Sequence, residues 1–206
     1  HDALPIFHPV RGAVPPTVFI PVAEKIGLIN ALGEWVLKTA CAEAASWATP
    51  LKVSVNVSPI QLMNTSLTDT IIEVLHQTGL DPRRLDLEIT ESDVFNENTR
   101  SLEILSQLRE QGIQISIDDF GTGYSSLSRL SYFPFDKIKI DRSFVINIPE
   151  QKDDLDIVRL IISMGKSLHM RIVAEGVETE EQLASLQALG CDLVQGYLIG
   201  KPSPLR

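Results

Sequence analysis

Short apolar runs alternate along this chain with longer amphipathic segments, and this alternation constrains the fold more than any other feature. Most runs contain β-branched residues, and each is followed by a polar side chain and then a loop. Helical patterns lie between the runs and are clearest over 98–111 and 154–169. The six runs are Val53-Ser54-Val55, Leu85-Asp86-Leu87, Ile115-Ser116-Ile117, Ile138, Ile172-Val173-Ala174 and Asp192-Leu193-Val194. Repeated strand–helix units predict a parallel sheet.

The order of these units predicts an α/β fold, a TIM-like (β/α)₈ barrel of which about six of eight strands are present. Such barrels place functional polar residues at the C-terminal ends of their strands. Residues 15–47 offer no further strand and are predicted to form two helices, at about 18–26 and 31–47. The 206 residues are fewer than the ~250 typical of this fold. We therefore expect an incomplete barrel whose sequence begins inside its domain.

Two adjacent carboxylates, Asp118 and Asp119, end the third predicted strand and are followed by Gly121 and Gly123. Like charges at a strand end repel each other unless a cation lies beside them. The glycines permit close approach of the backbone to a ligand, or movement of the loop. An acidic turn in which Asp119 caps a helix is the alternative. We favour the metal-binding interpretation.

Oxygen ligands also dominate the ends of the other strands. The candidate metal ligands are Asn56, Glu88, Asp118, Asp119 and Glu175. The four histidines have no paired ligand spacing and the two cysteines lie far apart, which argues against zinc. An all-oxygen set suits Mg²⁺ or Mn²⁺, and one shared carboxylate would allow two ions about 3.5–4 Å apart.

Composition and charge limit the classes of partner. The net charge of −9 argues against binding of polymeric nucleic acid, which requires a cationic surface. No apolar run approaches the ~20 residues of a membrane span. Cys41 and Cys191 are predicted to be reduced thiols, one on a helix and one on a strand. Together these features predict a cytoplasmic domain.

Several other polar residues allow two interpretations. Lys139 could be an edge lysine, but between Ile138 and Ile140 in a buried strand it is predicted to point into the barrel and join the site. Asp141 is predicted to cap a short helix, and a role in substrate binding is the alternative. Lys137 and Arg129 are interpreted as solvated charges.

Six motifs, in order along the chain, resemble those of the bacterial EAL domain. They are Asn56-Val57-Ser58, Glu88-Ile89-Thr90-Glu91, Asp118 to Ser126, Lys137 to Phe144, Glu175 to Thr179 and Gln195-Gly196-Tyr197. The resemblance covers nearly everything from residue 8 to residue 204. It implies a phosphodiesterase that hydrolyses cyclic di-GMP to linear pGpG in bacterial second-messenger signalling.

The resemblance also implies a role for each site residue. Asn56, Glu88 and Asp118 would hold one Mg²⁺ or Mn²⁺ ion, and Asp118 would bridge to a second ion held with Asp119 and Glu175. Lys139 would orient the attacking water or help to deprotonate it. Glu91 would anchor the loop 120–126, although the start of a helical turn would also explain it. The substrate-binding candidates are Gly121, Thr122, Gly123 and Gln195, and Gln195 would also support catalysis.

The first seven residues depart from the family pattern, so we expect residues 1–7 not to match and the domain to occupy residues 8–206. Where the family has Glu-Ala-Leu and a nearby substrate-binding Arg, this chain has Asp2-Ala3-Leu4. The missing Glu is a metal ligand in the family, so reduced activity is expected. The alternatives are an inactive EAL-like receptor for cyclic di-GMP, or a protein-interaction module, and, less well supported, another metal-dependent barrel hydrolase. A homodimer of the full domain, and sensory or GGDEF-type domains upstream, are also implied.

Overall fold

The computed structural model describes residues 6–91, 99–122, 130, 133 and 135–202. A short antiparallel hairpin comes first, formed by β1 (Ile6–His8) and β2 (Gly12–Val14). The sequence analysis did not predict this hairpin, because strands of three residues are too short to show a periodicity.

A curled parallel sheet of six strands forms a half-barrel after the hairpin. The strands are β3 (Val53–Asn56), β4 (Leu85–Thr90), β5 (Gln114–Phe120), β6 (Lys137–Ile140), β7 (Arg171–Ala174) and β8 (Leu193–Val194). Spatial order follows chain order, and every neighbouring pair is parallel. The six predicted strands and the α/β barrel class are confirmed.

Helices follow most of the strands and cover the outer face of the sheet. They are α1 (Pro16–Lys25), α2 (Ile29–Ser46), α3 (Pro59–Leu62), α4 (Leu67–Thr78), α5 (Thr99–Glu110), α6 (Arg142–Val145), α7 (Lys152–Ser167) and α8 (Glu180–Leu189), with a 3₁₀ turn at Pro82–Arg84. The predicted helices correspond to α1, α2, α5 and α7, with ends that differ by a few residues. No helix in the described ranges is both long and apolar enough to span a bilayer.

Alternation along the strands separates an apolar layer from a polar interior. In β4, Leu85, Leu87 and Ile89 are fully or almost fully buried in the hydrophobic core, which also contains Leu105 of α5. Successive side chains of a strand point to opposite faces, so Asp86 and Glu88, which alternate with these apolar residues, face the inside of the half-barrel. The same alternation holds for Ile138 and its neighbours in β6.

Capping side chains start the helices that follow the strand ends. Ser58 and Gln61 form a capping box at α3, and Thr179 and Gln182 form a second one at α8. Asp141 caps α6, accepting a hydrogen bond from the Ser143 N–H at 2.9 Å, as predicted. These caps begin each helix within a few residues of its strand, so the loops that carry polar side chains stay short.

Both cysteines are free thiols. Cys41 is buried in α2 as predicted. Cys191, expected to be buried on a strand, is partly exposed and lies just before β8.

Candidate active site

The polar side chains of the interior face converge at the C-terminal end of the sheet. Residues two apart on a strand share a face, which places Glu88 above Asp86 in β4, Asp118 above Ser116 in β5 and Lys139 above Lys137 in β6. Two polar layers result. The upper layer, at the C-terminal strand ends, contains the predicted site residues.

Lys139 lies at the centre of the upper layer. Its Nζ is 2.8 Å from a Glu88 oxygen, 3.0 Å from an Asp118 oxygen and 2.6 Å from a Glu175 oxygen. The lysine is only 5% exposed. Burial alone would lower the pKa of Lys139, but attraction by the three carboxylates outweighs it and raises the pKa above its ordinary value. Lys139 is therefore an ammonium group at neutral pH.

Crowding of acidic groups shifts the pKa values of the carboxylates themselves. Burial, with repulsion from Asp118 and Glu88, raises the pKa of Glu175 to about 7, and attraction by Lys139 only partly opposes this. Burial also raises the pKa of Glu88. A divalent cation would favour the ionised form of each group.

Three carboxylates form a compact set of oxygen donors. One oxygen each of Asp118, Asp119 and Glu175 lies within 4.8 Å of the other two. Adjacent strand residues normally point to opposite faces, but the pairing of β5 with β6 shifts between Ile117 and Phe120, and Asp119 has a left-handed φ of +53°. This irregularity explains how two neighbouring aspartates can share one site.

The donor set fits the ions predicted from the sequence. Oxygen donors from several strands, with Glu88 beside them, suit Mg²⁺ or Mn²⁺, which complete their coordination with water. No described group of three or more acidic, histidine or cysteine side chains, apart from this one, has such spacing.

The two amide candidates lie at the flanks of this cluster. Asn56 ends β3, is exposed and stands opposite Glu88 in the strand register. Gln195 follows β8 and is also exposed; its N–H donates to the Ala174 carbonyl at 2.8 Å, and its carbonyl accepts from the Val177 N–H at 3.0 Å. Gln195 is thus held beside the end of β7.

The loop after β5 is tied to the end of β4. A Glu91 oxygen accepts a hydrogen bond from the Gly121 N–H at 2.9 Å, and Glu91 is buried. The Thr122 hydroxyl donates to the Asp119 carbonyl at 2.9 Å. Gly123, the remaining substrate-binding candidate, lies outside the described residues, as does Arg129.

The lower polar layer was missed by the sequence analysis. Lys137 is not a solvated charge: it is largely buried and forms an ion pair with Asp86, which also accepts a hydrogen bond from the Ser116 hydroxyl at 2.7 Å. The signal was available, because a lysine two residues before an inward-facing lysine must share its face.

Comparison with known proteins identifies a family that the chain resembles over almost its whole length. The EAL domain model matches residues 3–202. MucR of Pseudomonas aeruginosa, a bifunctional diguanylate cyclase/cyclic di-GMP phosphodiesterase, is 44% identical over 201 residues, which are 96% of this chain and 29% of MucR. An uncharacterized signaling protein of Caulobacter vibrioides is 56% identical over 198 residues, 96% of this chain and 24% of that protein.

Solved structures extend the likeness to the fold. The MucR phosphodiesterase in its c-di-GMP complex matches with a TM-score of 0.93 and 44% identity, over 97% of this chain and 83% of that one. The FimX EAL domain of Pseudomonas aeruginosa bound to c-di-GMP matches with a TM-score of 0.90 and 25% identity, over 97% and 81% of the two chains. The chain spans about a quarter of the length of the curated relatives it matches. With a family model that covers almost the whole chain and relatives of this identity, the protein belongs to the EAL domain family.

Proposed function

We propose that this chain hydrolyses cyclic di-GMP to linear pGpG with two divalent ions, Mg²⁺ or Mn²⁺. The convergence of three carboxylates on the buried Lys139 ammonium, with Asp119 beside two of them, carries this proposal. The EAL relatives whose names or structures include cyclic di-GMP support the substrate.

The proposed ligands divide between two ions that share one carboxylate. Asn56, Glu88 and Asp118 would hold the first ion, and Asp118, Asp119 and Glu175 the second. When bound, the ions supply charge neutralisation for the phosphodiester and lower the pKa of a bound water. Each of these proposed ligands lies in the C-terminal half of β3, β4 or β5, or directly after β7. The strands therefore hold the oxygen donors on rigid elements.

Hydrolysis would break one P–O3′ bond of the cyclic substrate. A water oxygen forms the new bond to phosphorus, and the released 3′ oxygen takes up a proton, so the product is a linear dinucleotide with a 5′ phosphate. Lys139 would orient the attacking water or help to deprotonate it; in the metal-free chain it is an ammonium group, which donates hydrogen bonds.

The surrounding residues would position the substrate. Glu91 would hold the loop that begins at Gly121, and Thr122 and Gly123 would approach the ligand from that loop. Gln195, fixed beside β7 through its backbone, would present its side-chain amide at the mouth of the site. In the longer parent protein we propose a cytoplasmic homodimer with sensory or GGDEF-type domains. The segment after Ser125 resembles the one through which this family dimerises, and most of it lies outside the described residues.

A product assay on the chain tests the proposal. We expect conversion of cyclic di-GMP to pGpG that requires Mg²⁺ or Mn²⁺. Asp118→Asn should lower turnover by at least about a hundredfold, because it weakens the binding of both ions. Glu34→Gln, on the exposed face of α2, is the matched control and should leave turnover unchanged. Binding of cyclic di-GMP without any turnover would favour the receptor alternative.

A further inference from the structure

The short helix α6 contacts the loops that follow Asp119 and Glu175, the proposed ligands of the second ion. The Phe144 ring packs against Gly121, two residues after Asp119: a Cβ at Gly121 would lie 2.8 Å from the ring carbon Cε2. Gly121 also has a left-handed φ of +100°. No side chain fits at this position without moving Phe144, so the ring and the loop after β5 are closely fitted.

The other side of α6 contacts the loop after β7. Arg142 packs over Gly176, the residue after Glu175: a Cβ at Gly176 would lie 2.3 Å from the Arg142 Cγ. The Arg142 guanidinium donates to a Glu178 oxygen at 2.8 Å. One four-residue helix therefore contacts glycines within two residues of both ligand positions.

Gln182 fastens α6 to the loop after β7. Its side-chain oxygen accepts from the N–H groups of Glu178, at 2.7 Å, and Thr179, at 3.0 Å, and its amide nitrogen donates to the Ile146 carbonyl at 3.2 Å. Gln182 is 4% exposed. A capping box needs only the bond to Thr179. The bond to Glu178 is local, whereas the bond to Ile146 joins residues that are 36 apart in sequence.

We propose that Phe144, Arg142 and Gln182 are positioning residues that hold Asp119 and Glu175 at the spacing a divalent ion requires. The inference rests on the proposed function for the ion itself. Groups that orient metal ligands from behind typically change metal affinity about 10–100-fold when they are removed. Helix α6 would act by keeping the loops after β5 and β7 in one fixed relation, so that neither carboxylate moves away from the other.

Mn²⁺ binding to the 206-residue chain tests this inference without reference to turnover. Gln182→Met removes all three side-chain hydrogen bonds at similar side-chain length, and we expect Mn²⁺ affinity, measured by calorimetry and by electron paramagnetic resonance, to fall about 10–100-fold. Gln187→Met, an exposed glutamine on the same helix α8, is the matched control and should bind Mn²⁺ like the wild type.

A second variant guards against failure of Gln182→Met to fold. Arg142 is exposed, so Arg142→Ala is expected to fold and to weaken Mn²⁺ binding, while Arg142→Lys, which keeps the charge and the stem over Gly176, should restore part of the affinity. In turnover of cyclic di-GMP, kcat should fall more than KM rises, since ion geometry acts on the transition state.

Three outcomes separate the possibilities. Asp81→Ala removes the cap of the 3₁₀ turn at the far end of the sheet and lowers stability without touching the site. If Gln182→Met and Arg142→Ala lower the melting temperature like Asp81→Ala but bind Mn²⁺ like the wild type, the positioning role is wrong. A wild-type chain that binds no Mn²⁺ overturns the proposed function, and the positioning role with it. Selective loss of affinity in both variants supports the role.

Discussion

The Lys139 ammonium lies 2.6 Å from a Glu175 oxygen, inside a cluster that also contains Glu88 and Asp118. One positive charge is shared among two buried carboxylates and the partly buried Glu175. The stability of the fold is therefore linked to the ionisation of these four side chains, because a buried charge is stable only beside a group of opposite charge.

Removal of the Lys139 charge is expected to destabilise the metal-free protein. Lys139→Met leaves buried carboxylates without a partner, which typically costs about 3–5 kcal/mol. Saturating Mn²⁺ should recover part of this loss by supplying positive charge. Urea denaturation with and without Mn²⁺ measures both effects. Lys38→Met, which removes an exposed pair with Glu34, is the control; equal losses in the two variants would contradict the prediction.

Metal affinity should depend on pH through Glu175. An unfolded glutamate titrates near 4.5, whereas the pKa of Glu175 in the folded metal-free chain is about 7. The folded state binds the extra proton between these values, so its free energy of unfolding falls as pH rises through that window. A metal ion must displace the proton, so Mn²⁺ affinity should rise with pH up to about 7 and then level off.

Calorimetric titration with Mn²⁺ across this pH range checks the prediction. Proton release, measured in buffers of different ionisation enthalpy, should accompany binding below about pH 7 and disappear above it. Affinity that is constant across the range would show that Glu175 is ionised in the metal-free chain.

Gly196→Ala should displace Gln195. A Cβ at Gly196 would lie 2.3 Å from the Val177 backbone nitrogen, which cannot move aside without breaking its hydrogen bond to the Gln195 carbonyl. We expect turnover of cyclic di-GMP to fall by at least about tenfold. Gly200→Ala is the control, since nothing lies within 4 Å of its added Cβ. Unchanged turnover in Gly196→Ala would remove Gln195 from the site.

Calcium is expected to occupy the site and inhibit hydrolysis. Ca²⁺ forms bonds of about 2.3–2.6 Å to more ligands, whereas Mg²⁺ requires about 2.0–2.1 Å and octahedral geometry. Binding of cyclic di-GMP in Ca²⁺ should therefore persist while the product assay gives little pGpG. Full turnover with Ca²⁺ as the sole divalent ion would exclude a geometrically strict site.

The strand ends could be predicted from the sequence because local patterns encode them. Short apolar runs, each followed by a polar residue, identified four of the strands that carry the site. The polar residues are Asn56, Glu88, Asp118 and Glu175, and the structure brings the last three to Lys139. Parallel strands put their carboxyl ends at one edge of a sheet, so convergence follows from topology.

Features that depend on tertiary contacts could not be predicted in this way. The left-handed φ of Asp119 accompanies a shift in strand pairing, and no residue type in β5 predicts such a shift. Lys137 is a mixed case: its spacing from Lys139 indicated the inward face, but its partner Asp86 lies 51 residues away in sequence and could not be predicted. The bonds of Gln182 to Ile146 likewise join distant segments.

The central ammonium gives the metal-free site a counterion of its own. Carboxylates that would otherwise repel one another are held at close spacing by Lys139, and a proton on Glu175 relieves the remaining negative charge below about pH 7. A divalent ion would therefore enter a cluster of carboxylates that is already assembled and would displace the proton from Glu175. Binding would release this proton and require little rearrangement of the backbone.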